Sequence, residues 1–167
     1  LAREVASLPY DVGDLEDARA LADANPRSFL HVERPEVDLP DAFDQTSGID
    51  HQTAAKNLQL FLREGWLVRE TAPALYIYRI TLGQHAQTGI VACCHIEDYE
   101  NNIIRKHEKT KKPVEDQRTL HVQVTGAHTG PIFLLFRDDA KIAGMLDAAV
   151  RGAPLLDFTA IDGIRHE

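Results

Sequence analysis

Cysteine is nearly absent from this 167-residue sequence, and its two copies, Cys93 and Cys94, are adjacent. A bond between neighbouring residues is strained, so a disulfide framework is excluded and a reducing, cytoplasmic setting is expected. Long apolar runs are missing too. The longest, at residues 89–94 and 131–136, stop well short of the roughly 18 residues that a membrane-spanning helix needs. The chain opens at Leu1 rather than Met, which reads as a trimmed start, and lacks the basic-then-apolar order of a secretory signal. No Walker P-loop, GxGxxG, HExxH or CxxC occurs. The eight histidines show no ligand spacing, so no protein-encoded metal site is expected.

What is present is the composition of an ordinary folded domain, 44% hydrophobic and 26% charged. At this length one domain, residues 1–167, is the default, and folding buries roughly 70% of the surface of the unfolded chain. Net charge is −8, which repels a nucleic-acid backbone and argues against nucleic acid as a partner. The charge is uneven. Residues 105–121 hold six cations (Arg105, Lys106, Lys109, Lys111, Lys112, Arg118) against three anions (Glu108, Glu115, Asp116), a surplus of three that leaves −11 for the rest. A compact basic stretch on an acidic protein suits a small anionic metabolite or a nucleotide better than a long polyanion.

Asp14, Glu16 and Asp17 mark the start of a short helix ending before Asn25-Pro26. Residues 28–33 read as a strand, and residues 34–48, with two prolines and four acids, as a solvated loop. Ala54, Leu58, Phe61 and Leu62 recur at helical spacing within residues 50–64, and Gly65 supplies a helix stop. Residues 74–81 and 88–96 read as a hairpin with a connector at 82–87, buried on both faces, with Cys93 and Cys94 as core residues. Pro113 sits where a helix over residues 112–125 begins. A buried strand at 131–137, a helix at 140–151 and a last strand at 155–159 complete the chain. Helices and strands mix without a βαβ rhythm, so the expected fold is α+β, a mixed or largely antiparallel sheet with three to four packed helices.

The stretch 99–121 concentrates side chains used in catalysis and anion binding: Glu100, Arg105, Lys106, His107, Glu108, Lys109, Arg118 and His121. Arg118 and His121, three apart on a helix, share a face. Arginine grips a phosphate or carboxylate through two donors, and a histidine one turn on donates a further bond or moves a proton. A charge run of this kind is more commonly a solvated helix face laced by ion pairs, and spacing alone does not beat that reading. Tyr76, Tyr78 and Tyr99 read as core or rim aromatics, and His31, His95 and His128 as residues with satisfied ring nitrogens.

A series of ordered motifs then gives a resemblance. Ala6-Ser7-Leu8-Pro9-Tyr10-Asp11-Val12, Asn25-Pro26-Arg27-Ser28-Phe29-Leu30-His31-Val32 and Gln87-Thr88-Gly89-Ile90-Val91-Ala92 lead it, followed by Asp98-Tyr99-Glu100-Asn101 and Lys106-His107-Glu108-Lys109-Thr110. Asp116-Gln117-Arg118-Thr119-Leu120-His121 and Thr129-Gly130-Pro131-Ile132-Phe133-Leu134 end it. Together they resemble the bacterial and archaeal domain of unknown function 1015, across the whole chain. Members of that family are longer, so the likeness is to their N-terminal portion. Leu8 departs from an expected proline, Gln117 from an acid and Leu120 from a base.

The family is in turn similar to the ParB and sulfiredoxin-like class, whose members bind nucleotide phosphates and include kinases acting on free serine. That likeness implies a phosphotransferase using ATP or ADP with Mg²⁺. Arg105, Lys106, Lys109, Arg118 and His121 would form its anion site, and Glu100, His107, Glu108 or Asp11 would orient a metal or a substrate hydroxyl. The rival expectation is a non-catalytic ligand-binding module.

Overall fold

The computed structural model describes residues 1–44, 47–107 and 109–167. It is α+β: seven helices and a four-stranded antiparallel sheet occur among the described residues. Four of the helices have nine residues or more. The chain forms two compact units, each assembled from two separate segments. Leu1–Arg69 and Thr110–Phe133 make the first; Glu70–Lys109 and Leu134–Glu167 make the second. No helix is long and apolar enough to cross a membrane among the described residues.

The first unit is helical. It holds α1 (Ala2–Val5), α2 (Leu15–Asp23), α3 (Leu30–Glu33), a 3-10 helix (Pro35–Asp38), α4 (Ile49–Arg63) and, from the second segment, a long helix at Lys112–Thr125 called α6 below. Helix α2 begins where expected because the Asp14 carboxylate accepts the Asp17 N–H at 2.9 Å, satisfying a donor the helix leaves open. Its small Ala18 and Ala22 pack on Val37 of the 3-10 helix. The main core joins Val32, Leu58 and Phe61, flanked by Val5, Phe29, Trp66, Leu67 and Ala127. Phe61 meets Phe29 and Trp66 edge-on, with ring centroids at 5.9 and 5.0 Å.

Two expectations fail here. Residues 28–33 form a turn and then α3, not a strand. The Ser28 N–H bonds to the Asn25 carbonyl, and the Ser28 hydroxyl accepts the Leu30 N–H, so local side-chain bonding competes with extension. Leu30, Val32 and Glu33 are all buried, a pattern a one-sided strand does not give. Within residues 34–48, the 3-10 helix buries Pro35 and Val37, so that part of the loop is core. His31, placed on α3, has both ring nitrogens engaged, Nδ1 with Asp38 at 2.7 Å and Nε2 with the Asn25 carbonyl at 3.3 Å.

The second unit carries β1 (Tyr76–Leu82), β2 (His85–Val91), α5 (Ile96–Glu100), α7 (Ala140–Ala149), β3 (Phe158–Thr159) and β4 (Arg165–His166), with strand order β2-β1-β4-β3. The hairpin turn is two residues, Gly83-Gln84, because Leu82 already pairs with His85. Gly83 has φ of +59°, the conformation a tight hairpin asks of its first turn residue. The expected connector 82–87 was too long, since Leu82 ends β1 and polar His85 and Gln87 belong to an edge strand that needs no apolar face. Neither strand is buried: Tyr76, Ile77, Tyr78, Ile90 and Val91 are exposed.

Pairing ends at Tyr76 with Val91, three residues after Pro73, so the cysteines lie beyond the ladder. Cys93 and Cys94 are free and exposed, not core residues. Residues 131–137 form no strand either. They lie where the chain leaves one unit for the other, between Phe133 and Leu134, and Ile132 to Phe136 are exposed. Helix α7 starts on Asp139, whose carboxylate accepts two N–H groups. The closing strand is shorter than expected, and β4 was not foreseen at all. Tyr78 holds β4 by bonding His166 Nδ1 at 2.6 Å, while Phe158 stacks on the same imidazole.

Trp66 is the only tryptophan, so its fluorescence reports on the first unit. We expect Phe61→Ala to lower the stability of that unit by about 3–5 kcal/mol, read as a lower urea midpoint of the Trp66 signal.

Candidate functional site

Helix α6 (Lys112–Thr125) starts on Pro113, whose missing N–H costs nothing in the first turn, and stops at Gly126, with φ of +69°. Its exposed beginning carries the ordinary ion pairs that a solvated charge run predicts: Lys112 lies 2.6 Å from Asp116 and 3.8 Å from Glu115. One turn later the helix faces inward. Arg118 and His121 share the face that packs on α4 (Ile49–Arg63), so the solvated charge run describes the exposed start of this helix and not its inward face.

Arg118 and His121 line a cavity of about 350 Å³ together with Tyr10, Glu33, Arg34, Glu36, Asp50 and His51. Every lining residue belongs to the first unit. The Arg118 guanidinium donates to Glu33 Oε2 at 3.2 Å and lies 4.7 Å from the centroid of the Tyr10 ring. Glu33 is 93% buried by side chain, 7% remaining exposed, so this pairing neutralises a carboxylate that solvent does not. Arg34 donates to Glu36 Oε1 at 3.0 Å and to the carbonyls of Gly13 and Asp14. Gly130 leaves room for the central pair, because a Cβ there would stand 3.2 Å from Arg118 Nη2 and 3.3 Å from Glu33 Oε2.

His121 is 2% exposed and meets His51 edge-on, with ring centroids 5.8 Å apart. Its Nε2 lies 3.3 Å from the Thr129 hydroxyl, and Thr125 bonds its carbonyl. Burial, reinforced by the Arg118 guanidinium, pushes His121 below the ordinary 6.5 against the opposing pull of Glu33, with lesser contributions from His51 downward and Asp50 upward. His121 is therefore a neutral imidazole at pH 7. Asp50 lies beside it on α4, with Oδ2 3.8 Å from His51 Nε2, too long for a hydrogen bond.

Six buried side-chain atoms among the described residues lack a hydrogen-bond partner, and three of them belong to this cavity: Glu33 Oε1, Asp50 Oδ1 and His51 Nδ1. Each of the three has almost no accessible surface, so these atoms lie beneath the cavity wall and not in its open space.

The remaining sequence candidates fall elsewhere. Asp11 is exposed in the turn before α2, and its neighbour Tyr10 lines the cavity instead. Glu100 ends α5, and Arg105, Lys106, His107 and Lys109 are exposed residues of the second unit. Lys106 Nζ stands 4.3 Å from the centroid of the Tyr99 ring. Glu108 lies outside the described residues. Of the stretch 99–121, the structure thus brings Arg118 and His121 together at the cavity.

Sequence reasoning missed Glu33, Asp50 and His51, and one signal for them was present. His51, Ala54, Leu58 and Phe61 follow one another at steps of three, four and three along the buried stripe of α4. A titratable side chain on an apolar stripe is a polar group that the core must satisfy.

A family model described as Protein of unknown function (DUF1015) matches residues 1–167. No curated protein and no solved structure matches the chain.

Two outcomes follow from this geometry. Stability should be indifferent to His121 above pH about 6.5 and should fall as pH drops below it, because the unfolded chain takes up a proton that the folded one resists. Urea titrations from about pH 8 to 5 should show a shallower acid loss for His121→Gln than for the native chain. Arg118→Met should destabilise by roughly 1–3 kcal/mol by leaving Glu33 buried without its cation. Adding Glu33→Gln should recover part of that loss, and a strictly additive double variant would show that the pair is not coupled.

Proposed function

Because the chain belongs to the DUF1015 family, whose description gives no activity, we propose its role from the site: it binds a small polar metabolite in the Arg118 cavity and transfers a phosphoryl group to a hydroxyl of that metabolite. The observation that carries the binding half is the cavity itself, which gathers the Arg118–Glu33 ion pair, Asp50, His51 and the buried His121 of one unit around a single space. The volume of about 350 Å³ is at the lower end of the range for ligand pockets, which is the size of one small metabolite.

The catalytic half rests on the chemistry of the same side chains. Phosphoryl transfer needs positioning and charge stabilisation more than a nucleophile, and Arg118 supplies a guanidinium for an anionic oxygen. Asp50 and His51 supply a carboxylate and an imidazole to orient a hydroxyl or accept its proton. A Mg²⁺ arriving with ATP or ADP would require one or two carboxylates, and Asp50 supplies one in the cavity lining. The likeness to the ParB and sulfiredoxin-like class, with its kinases acting on free serine, points the same way. The roles proposed for Glu100, Arg105, Lys106, His107, Glu108 and Lys109 rest on the motifs alone. A cytoplasmic setting, with its nucleotide pool, suits this reading.

One observation favours a non-catalytic ligand-binding module instead. Arg118 is already paired with Glu33, and neither Asp11 nor Glu100 lines the cavity, so the site has recognition groups in place and fewer groups for chemistry.

Thermal melts with ATP or ADP plus Mg²⁺, and with small phosphorylated metabolites, test the binding half. A ligand at a hundredfold its Kd stabilises by about 2.7 kcal/mol, a shift of several degrees. Arg118→Ala should abolish the shift. ADP release on adding a hydroxyl-bearing metabolite supports transfer, whereas protection without ADP release supports the module. No protection across the panel overturns both readings.

A further inference from the structure

Along α6 the cavity changes character with depth. Val114, Arg118 and His121 all line it, at steps of four and three that keep them on one face of the helix. Val114 is 43% exposed, the Arg118 side chain 28% and His121 2%. The order therefore runs from an open apolar side chain through a guanidinium to a buried imidazole, over about 10 Å of helix at roughly 1.5 Å per residue.

A second apolar surface flanks the same guanidinium from another part of the chain. Tyr10, in the turn before α2, lines the cavity and is 41% exposed, with its ring centroid 4.7 Å from the Arg118 guanidinium. Pro113, exposed and also part of the lining, adjoins Val114. Solitary apolar side chains on a surface need no explanation. Tyr10 and Val114 are not solitary, since both stand at one guanidinium on one cavity, and neither belongs to the apolar core of the unit. Arg118 can serve a ligand beside them. A guanidinium carries five N–H donors, and its Nη2 gives one bond to Glu33. A head group that meets the remaining donors lies about 6 Å inward of Val114, four residues along the helix. Whatever is attached to that head and leads outward passes Val114 and Tyr10.

We infer that the metabolite bound at this cavity is amphipathic: its anionic head is held by Arg118, and the head bears an alkyl or aryl group that lies against Val114 and Tyr10 at the mouth. This rests on the small-metabolite reading above and narrows it to compounds with one apolar end.

Two homologous series separate the inference from that reading: methyl, propyl and pentyl phosphate, and acetate, butanoate and hexanoate. Calorimetric titration of the full chain should show affinity rising at least about fourfold for each added pair of methylenes in one or both series, where complete burial would give about sixteenfold. Val114→Ser, a change at an exposed position, should bring the ratio of the longest to the shortest member toward one, with the ligand-free melt confirming that the variant is folded. The native-chain comparison stands without it. Equal affinity along both series overturns the apolar subsite and leaves metabolite binding intact. A gain with chain length that persists in Val114→Ser, or in Arg118→Ala, comes from apolar surface elsewhere and overturns the assignment to this mouth. Binding of no member of either series, together with no protection by the wider panel, overturns the reading on which it rests.

Discussion

A carboxylate taken out of water must be met by a cation, and in the helical unit that requirement falls on Glu33. Its partner, Arg118, stands 85 residues away in sequence. The pair therefore ties the short α3 to α6, the helix contributed by the later segment of the chain. Gly130 keeps clear the space that the pair occupies, and Tyr10 covers the guanidinium from the N-terminal turn. Three distant stretches of sequence are thus bound to one ion pair, and the cavity is the space left around it. Such a pair contributes less to net stability than to registry, because its Coulomb attraction is largely spent on desolvation.

The long helices were legible because their ends are written in local chemistry. Asp14, Pro113, Gly65 and Gly126 act within one turn of where they stand, and no distant contact is needed to interpret them. Strands lack that property. Residues 131–137 and 28–33 have the side chains of buried strands, but a strand exists only if a partner lies beside it, and partners are set by the rest of the chain. Conversely, β4 is two residues long and is recruited by β1 and by the Tyr78 hydroxyl, which no window of sequence around it reveals. The hairpin was found, but its turn was misplaced because polar residues were assumed to be loop when they are edge strand.

The site divided along the same line. Arg118 and His121 were legible as a pair because both lie on one helix at a spacing that geometry fixes. Glu33, Asp50 and Tyr10 come from other elements, and only packing brings them to that face. The basic run itself was a poor guide: its cations are distributed over two units, and at the cavity the acids outnumber the permanent cations. Local sequence charge describes what is near along the chain, whereas a ligand meets what is near in space.

The helical unit is interrupted in sequence by residues 70–109, which belong to the other unit. During synthesis, α4 leaves the ribosome well before α6 does, and at roughly 5–20 residues per second the interval is on the order of seconds. Throughout that time His51 has no His121 to meet, and Glu33 has no guanidinium. The helical unit cannot close on itself until the whole insert has been made, and its closure must span a loop of that length. A nascent chain in that interval already holds the partners of Leu58 and Phe61, namely Val32, Phe29 and Trp66, and what waits for α6 is the polar end of α4 that carries His51.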